Sequence, residues 1–287
     1  MSERHNVNTW LITGASSGIG RSLALEALKA GFKVIGTTRN ITQAETNCPE
    51  FASRGGTWLE LDPALPDAYH QVVKVSQEEN INVLVNNAGY AFISSVEDAS
   101  EEEVRAQMEV NFYGPLRTVQ ACLPAMRARG SGQIILISSG AGFIARPARG
   151  IYSASKFAVE AVHESLTQEV RSFGIKVLIV EPGAFRTPFA SRIVTPARLS
   201  EGFSQGYRGT VVEQMINGSQ AMKSLPDYVK GDPARAARAI IQAVTSDHNY
   251  LRLPLGTDCV AALESKIGNL QHDLEATRAN AVSTDVD

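Results

Sequence analysis

The chain has 287 residues, of which 44% are hydrophobic and 20% are charged, and its formal net charge is −3. This composition is ordinary for a soluble globular protein, and the charge gives no electrostatic basis for binding nucleic acid or an anionic membrane. No apolar run approaches the roughly 18 residues of a spanning helix, and the N-terminus lacks the blocks of a signal peptide. The three dispersed cysteines, Cys48, Cys122 and Cys259, lack metal-ligand spacing, so we expect inert thiols, no metal site and a cytoplasmic location.

Short apolar runs alternate with longer amphipathic segments from the start of the chain to about residue 255. The runs predict strands at Asn8–Thr13, Lys33–Thr37, Thr57–Leu61, Asn82–Val85, Gln133–Ser138, Lys176–Val180 and Tyr250–Leu253. Several are apolar on both faces, as strands covered by helices on either side are. The alternation predicts one α/β domain, a doubly wound parallel sheet of about seven strands with helices on both faces.

Two helices carry clear local signals. One is predicted over Arg21–Ala30, directly after a glycine-rich loop. The other spans Glu101–Arg129 and opens with Ser100 and Glu103, the spacing of a capping box. The acidic start of this second helix is favoured by the helix dipole, so it needs no ligand to explain it.

The loop after the first strand has glycines at Gly14, Gly18 and Gly20 and reads GASSGIG. Glycines permit the tight turn from strand to helix and let a pyrophosphate approach the backbone. A purely structural turn is the alternative, but the position after the first strand of an α/β chain favours a dinucleotide site. The loop residues assigned to cofactor binding are Gly14, Ser16, Ser17, Gly18, Ile19 and Gly20.

The end of the second strand predicts which dinucleotide is bound. An acidic residue there would bind the ribose 2′-hydroxyl group of NADH, but the sequence reads GTTRN over residues 36–40 and has no carboxylate. Arg39 offers a guanidinium fork suited to a 2′-phosphate group. The sequence therefore predicts NADPH/NADP⁺ in preference to NADH, although Arg39 alone also fits a surface loop.

The stretch IYSASKFAVE, residues 151–160, places Tyr152 and Lys156 four residues apart. In a helix the two side chains lie one turn apart on the same face. An ammonium group there favours the ionised phenol, and this is one way to prepare a tyrosine for proton transfer. Chance packing explains the spacing equally well when it is taken alone.

Further motifs match one family in the correct order: NNAG at 86–89, Asn111, Ser139 thirteen residues before Tyr152, YSASK at 152–156, and Pro182-Gly183 with Thr187. With TGASSGIG at 13–20, they make the chain resemble a classical short-chain dehydrogenase/reductase. The resemblance covers about residues 7–190 and continues loosely to 255. It implies a Rossmann-type fold and a nicotinamide cofactor.

The resemblance also implies a role for each matching residue. Tyr152 would be the general acid/base, and Lys156 would lower the pKa of its phenol and bind the nicotinamide ribose. Ser139 would polarise the substrate carbonyl group, whereas the neighbouring Ser138 would be structural. Asn111 would position a water that relays protons from Lys156. The remaining cofactor contacts implied are Asp62, Asn87, Ala88, Gly89, Pro182, Gly183 and Thr187, with Asp62 made less secure by the following Pro63.

The family places its substrate lid after the sixth strand, which here means residues 184–230. The opposite wall would be formed by Phe143, Ile144 and the Arg146–Arg149 region. Apolar lid candidates are Phe185, Phe189, Phe203, Tyr207, Met215, Met222 and Tyr228, which suggest a bulky, fairly apolar substrate, although core packing explains some of them equally well.

Residues 256–287 form a separate C-terminal unit in the prediction. Val260, Leu263, Ile267, Leu270 and Leu274 follow spacings of three and four, which indicates an amphipathic helix over Gly256–Arg278 and then a short tail. The helix would pack on its own domain or form a subunit contact, and the resemblance implies a homodimer or homotetramer.

These observations predict an NADPH-dependent carbonyl reductase or alcohol dehydrogenase that acts on a small-molecule ketone or secondary alcohol. An epimerase or dehydratase of the same fold is one alternative, but that branch usually carries a different glycine spacing, TGxxGxxG. A catalytically silent NADPH-binding regulator is the other alternative, and it would have no use for Tyr152.

Overall fold

The protein, described by a computed structural model for residues 8–221, 229–246 and 248–286, is built around one parallel sheet. The strands are β1 (Thr9–Ile12), β2 (Lys33–Thr38), β3 (Thr57–Glu60), β4 (Ile81–Asn86), β5 (Gly132–Ile137), β6 (Ile175–Pro182) and β7 (Arg252–Leu255). Their order is β3-β2-β1-β4-β5-β6-β7, and each neighbouring pair is parallel. The predicted single-domain, doubly wound α/β fold is confirmed.

Helices connect the strands and cover both faces of the sheet. They are α1 (Gly18–Lys29), α2 (Ile41–Asn47), α3 (Pro49–Ser53), α4 (Ala68–Glu79), α5 (Glu101–Met108), α6 (Gly114–Arg129), α7 (Gly150–Val170), α8 (Val211–Ala221), α9 (Pro233–Thr245) and α10 (Thr257–Val282). No helix in the described ranges is long and apolar enough to cross a membrane.

The core explains why the strands could be recognised as apolar runs. Along β1, Trp10 and Ile12 pack into the cluster on one face of the sheet, whereas Leu11 packs into the cluster on the other face. The same alternation places Val83 on one face and Leu84 on the other in β4. Because side chains alternate across a strand, a strand covered on both faces is apolar throughout.

The chain order reverses between β1 and β4, which are neighbours in the sheet although two strands separate them in sequence. The connections from the carboxyl ends of these two strands depart to opposite sides, so a crevice opens there. Ligands of open α/β sheets bind in this crevice. The glycine loop follows β1 and NNAG includes the last residue of β4, so both motifs reach it.

Several boundaries differ from the predictions. The predicted helix over Glu101–Arg129 is α5 and α6 joined by a π-helical turn over Glu109–Tyr113, and the capping box of Ser100 and Glu103 is present. The last strand begins two residues later than predicted, and its Pro254 is tolerated at the sheet edge. α1 begins at Gly18, inside the loop.

The C-terminal helix runs four residues beyond its predicted end, to Val282. Only Cys259 and Ala262 of this helix are buried, whereas Ile267, Leu270 and Leu274 are each more than half exposed. Its first turns therefore pack on the domain while most of the apolar stripe has no partner within the described part of the chain.

The three cysteines are buried and unpaired. Burial raises the pKa of all three thiols, to about 12 for Cys122 and about 11 for Cys259. Thiols that stay protonated are poor nucleophiles, which agrees with the expected inertness.

Candidate active site

A cavity of about 1120 Å³ lies along the carboxyl ends of the central strands. It reaches from the glycine loop at one end to the first residues of α7 at the other. The predicted residues that line it are Gly14, Ser16, Ser17, Gly18, Ile19, Arg39, Asp62, Asn87, Ala88, Gly89, Ser139, Tyr152, Lys156, Pro182, Gly183 and Thr187. One cavity thus brings together nearly every residue that the sequence singled out.

Gly20 and Asn111 are the two predicted catalytic or cofactor-binding residues that do not line the cavity. Gly20 lies directly behind it, where a Cβ atom would overlap the Asn87 amide nitrogen. Asn87 Nδ2 donates to Thr13 O at 2.8 Å and to Gly14 O at 3.1 Å. Gly20 therefore allows Asn87 to hold the glycine loop in place.

The glycine loop has the backbone that a dinucleotide cradle requires. Gly14 and Gly18 have φ angles of +64° and +61°, in the left-handed region that side-chain-bearing residues rarely adopt. The Thr13 hydroxyl oxygen accepts from the backbone N–H groups of Asn87 and Ala88 and fixes the loop to the end of β4. Ser17 is the N-cap of α1 but makes no capping bond with its side chain. The N-terminus of α1 thus offers N–H groups to a pyrophosphate, and the residues present fit a dinucleotide.

The end of β2 places a positive charge on the cavity wall. Arg39 is exposed on the cavity wall, and no carboxylate occurs between residues 36 and 40. Asp62 also lines the cavity, but its Oδ1 accepts from the backbone N–H of Ala64 at 3.0 Å. Pro63 therefore does not remove Asp62 from the cavity, although one of its oxygens is engaged in a local turn.

Tyr152, Lys156 and Ser139 converge at the other end of the cavity. Tyr152 and Lys156 lie one turn apart on α7 and are buried, with 4% and 5% exposed. Lys156 Nζ donates to Ile137 O at 3.0 Å, which leaves two of its three protons for other acceptors. Ser139 follows β5, and its hydroxyl oxygen accepts from the backbone N–H of Ala141. The sheet and one helix together thus fix the three side chains.

Burial dominates the acid–base properties of this group. It raises the pKa of the Tyr152 phenol, while the Ser139 hydroxyl group and the charge of Arg149 act in the opposite direction. It lowers the pKa of Lys156 to about 8, and Glu160 opposes this shift. In the protein alone, desolvation outweighs the contacts with Ser139 and Arg149, so the pKa of the Tyr152 phenol lies above its usual value.

Asn111 lies in the π-helical turn behind the cavity. Its Nδ2 donates to Tyr90 O at 3.0 Å and to Ser155 Oγ at 3.1 Å, and its Oδ1 accepts from the Tyr90 N–H. Both amide protons are therefore engaged by protein atoms. Pro115 has no N–H group to donate to the Asn111 carbonyl oxygen, as an α-helix would require. A water held by Asn111 would therefore bind to the backbone carbonyl oxygen of Asn111.

A cluster of acidic and basic side chains lies beneath α7. The buried carboxylates of Glu160 and Glu181 both pair with Arg252, whose Nη1 is 2.6 Å from Glu181 Oε1. Desolvation, reinforced by the charge of Glu160, raises the pKa of Glu181 to about 7. The Ser138 hydroxyl group donates to Glu160, although Ser138 also lines the cavity. The cluster ties the end of β6 and the residue before Ser139 to α7.

The predicted lid segment begins beside Tyr152. The rings of Phe189 and Tyr152 have centroids 6.4 Å apart, and Phe185 also lines the cavity. Phe203 and Met215 do not line it but pack into a cluster that includes Tyr152, whereas Tyr207 contributes to neither. Met222 and Tyr228 lie outside the described residues.

Part of the lid is more regular than expected. Residues 211–221 form α8, although the Gly, Ser and Pro residues of the surrounding segment 184–230 are typical of irregular structure. The apolar spacing of this helix, with buried Ile216, was obscured by its Asn217-Gly218 pair, which is typical of turns. On the opposite wall, Ile144, Arg146 and Arg149 line the cavity but Phe143 does not.

Sequence reasoning missed Thr13, Glu160, Glu181 and Arg252 as parts of the site. Glu181 could have been noticed as a charge at the end of an apolar strand, and Glu160 as the residue one turn beyond Lys156. Nothing local identified Arg252 as their partner, because it lies 92 residues after Glu160. Within the described residues, no group of three or more histidine, cysteine or carboxylate side chains forms a metal site.

Comparison with known proteins agrees with this geometry. Residues 8–197 match a family model described as short chain dehydrogenase. The chain is 45% identical over 215 residues to oxidoreductase claN of Passalora fulva. The matched region covers 75% of this chain and 96% of that protein. A short-chain dehydrogenase from Streptomyces avermitilis, solved by crystallography, is 35% identical with a TM-score of 0.86, over 98% of this chain and 100% of that chain.

A third comparison concerns the cofactor. A metagenomic short-chain oxidoreductase solved in complex with NADP is 30% identical with a TM-score of 0.58, over 62% of this chain and 83% of that chain. More distant fold neighbours, 20% to 22% identical, were solved with NADP, with NADPH or, in one case, with NAD. The choice between the two cofactors in this chain therefore depends on its own residues.

Proposed function

The chain belongs to the short-chain dehydrogenase/reductase family of nicotinamide-dependent oxidoreductases, and from that premise we propose that it is an NADPH-dependent carbonyl reductase or alcohol dehydrogenase. The observation that carries this proposal is the convergence of Ser139, Tyr152 and Lys156 at one end of a cavity whose other end is the glycine loop. A ketone or secondary alcohol lying against Tyr152 can contact the Ser139 hydroxyl group and the Tyr152 phenol at the same time.

The residues divide the chemistry among them. NADPH, when bound, supplies the hydride. Tyr152 donates its phenolic proton to the substrate oxygen as negative charge develops there, and it takes the proton back in the oxidative direction. Ser139 donates a hydrogen bond to the same oxygen. Lys156, anchored by Ile137 O, keeps a positive charge near the phenol and binds the ribose.

The preference for NADPH rests on Arg39. Its guanidinium group is exposed at the cavity wall, and the segment 36–40 offers no carboxylate for a 2′-hydroxyl group. A phosphate group there gains a bidentate, charge-assisted contact. The family alone is compatible with either nicotinamide cofactor.

The substrate is a bulky, fairly apolar molecule in this proposal. Phe189 faces Tyr152, and Ile93, Ile144 and Phe185 add apolar surface to the same cavity. The test is oxidation of NADPH, followed at 340 nm, with a panel of ketones that ranges from acetone to aryl and polycyclic ketones. We expect turnover with the large ketones only; turnover with none of them would contradict the proposal.

We also propose that the protein is a homodimer or homotetramer in a reducing, cytoplasmic setting. The exposed apolar stripe of α10, with Ile267, Leu270 and Leu274, supports a subunit contact, and three unpaired thiols support the compartment. Sedimentation equilibrium of the full chain tests the first part, and a monomer would contradict it.

A further inference from the structure

Two arginines at the substrate end of the cavity have no acidic partner among the described residues. Arg146 and Arg149 lie in the segment between Ser139 and Tyr152, and both line the cavity. The Nε atom of Arg149 is buried and has no hydrogen-bond partner among the described residues. Neither guanidinium group belongs to any ion pair in the described part of the chain.

Arg146 is exposed, whereas Arg149 is partly buried, so an uncompensated positive charge at Arg149 is unfavourable. Burial lowers the pKa of Arg149, and the like charge of Arg146 lowers it further. A buried charge normally persists only with a partner, because desolvation of a lone ion costs several kcal/mol. The two arginines therefore provide positive charge for something that enters the cavity.

The protein's own carboxylates do not fill this role. Asp62 and Asp258 are the two acidic residues that line the cavity. Asp62 accepts from the backbone N–H of Ala64, at the β3 edge of the sheet, and Asp258 accepts from the N–H of Ala184 at 2.8 Å. Both carboxylates therefore accept hydrogen bonds from backbone N–H groups elsewhere on the cavity wall.

The backbone beside Arg149 is held in an unusual conformation. Ala148 has a φ angle of +61°, which is rare for a residue with a Cβ atom. It is kept there because Ser94 N donates to its carbonyl oxygen at 2.8 Å and because it is buried. Such conformations concentrate at functional sites. Here the conformation sets Arg149 at the N-cap of α7, three residues before Tyr152 and on the same helix face.

We propose that Arg146 and Arg149 form an anion subsite that binds a carboxylate on the substrate and so orients its carbonyl group toward Ser139 and Tyr152. This deepens the proposed function and rests on it, since the subsite is defined by the cavity that holds Tyr152. The substrate class is an oxo acid with an apolar body. A guanidinium fork matches the two oxygens of a carboxylate, and a lysine would not reproduce that bidentate geometry.

Matched probes separate charge from size. NADPH oxidation is measured with 5-oxo-5-phenylpentanoic acid, with its methyl ester and with the uncharged ketone valerophenone. We expect kcat/KM for the acid to exceed that for the ester roughly tenfold or more, the range of hydrogen bonds to charged groups. In Arg149→Gln the ratio of the acid to the ester should fall to about one, mainly because the KM for the acid rises. Arg149→Lys should restore part of the ratio. Arg171→Gln, which removes an exposed arginine at the far end of α7, should leave the ratio unchanged.

A binding measurement keeps the subsite testable without turnover. The acid 5-phenylpentanoate has no carbonyl group to reduce, so its effect on the thermal unfolding of the NADPH complex reports binding alone. It should raise the melting temperature of the wild type more than its methyl ester does, and Arg149→Gln should remove the difference. Equal effects of acid and ester in the wild type would overturn the subsite. Acid-specific binding without oxidation of NADPH by any ketone would instead overturn the proposed function.

Discussion

Glu160 lies one helical turn after Lys156, and its buried carboxylate raises the pKa of that ammonium group against the effect of burial. The same carboxylate accepts from Ser138 and pairs with Arg252. One side chain thus supports both the charge of Lys156 and the position of the residue before Ser139. The acid–base balance of the site therefore depends on a residue that lies below the cavity.

The first prediction concerns the alkaline limit of activity. The pKa of Lys156 is about 8 in the protein alone, so kcat/KM, which reports the free enzyme, should fall as the pH rises through about 8. Glu160→Gln removes a charge that raises this pKa, so the fall should begin at a lower pH. Glu164→Gln is the control, because Glu164 also pairs with Arg252 but is exposed. An alkaline limb that does not move in Glu160→Gln would contradict the assignment.

Stability should depend strongly on Arg252. Arg252→Ala leaves two buried carboxylates, Glu160 and Glu181, without their counter-charge, which should cost on the order of 3 kcal/mol in the free energy of unfolding. Arg278→Ala breaks an exposed pair with Glu275 on α10 and should change the stability very little. Urea unfolding measures the free energy of unfolding of both variants. Similar decreases in the two would contradict the stabilising role of the buried cluster.

The packing of the glycine loop predicts that one methyl group added at Gly20 weakens cofactor binding. Gly20→Ala places a Cβ atom in the space of Asn87 Nδ2 and 2.7 Å from Gly14 O. Asn87 must then move away from the loop that it holds, and the Kd for NADPH should rise by tenfold or more. Gly268→Ala, on the exposed part of α10 with no atom near the new methyl group, should bind NADPH normally. Fluorescence titration with NADPH measures both, and normal binding by Gly20→Ala would contradict this account of the loop.

Substitution of Arg39 should shift the cofactor preference from NADPH toward NADH. Arg39→Asp removes the phosphate-binding guanidinium group and introduces a carboxylate suited to a 2′-hydroxyl group. The ratio of kcat/KM for NADPH to that for NADH should fall by at least tenfold. Arg54→Asp, at the exposed end of α3, makes the same charge change away from the cavity and should not alter the ratio. A ratio unaffected by Arg39→Asp would place the phosphate contact on other residues.

The parts of the fold that were predictable are those with local causes. β1 and β4 were found because burial on both faces makes a strand apolar throughout, and the glycine loop was found because its φ angles exclude most other residues. The capping box likewise involves residues three apart. Each of these signals is contained in a few neighbouring residues.

The parts that escaped prediction depend on contacts between distant segments. Glu160 and Glu181 look alike in the sequence to exposed acids, and only the fold brings Arg252 to both of them. The π turn at Asn111 was also missed, although Pro115 inside a predicted helix was a signal that could have revealed it. Whether Arg149 has a partner could not be read from the sequence, since that requires knowing which acids lie near it.

In the proposed function Tyr152 transfers the proton while the rest of the site binds the cofactor. Tyr152→Phe removes only the hydroxyl group, so the most direct measurement compares its NADPH affinity and its single-turnover rate with those of the wild type on the same ketone. We expect a Kd for NADPH within about twofold of the wild type and a reduction rate lower by about 10²-fold to 10⁴-fold, the contribution of general acid catalysis. A Tyr152→Phe variant that reduces the ketone at the wild-type rate would contradict this role of Tyr152.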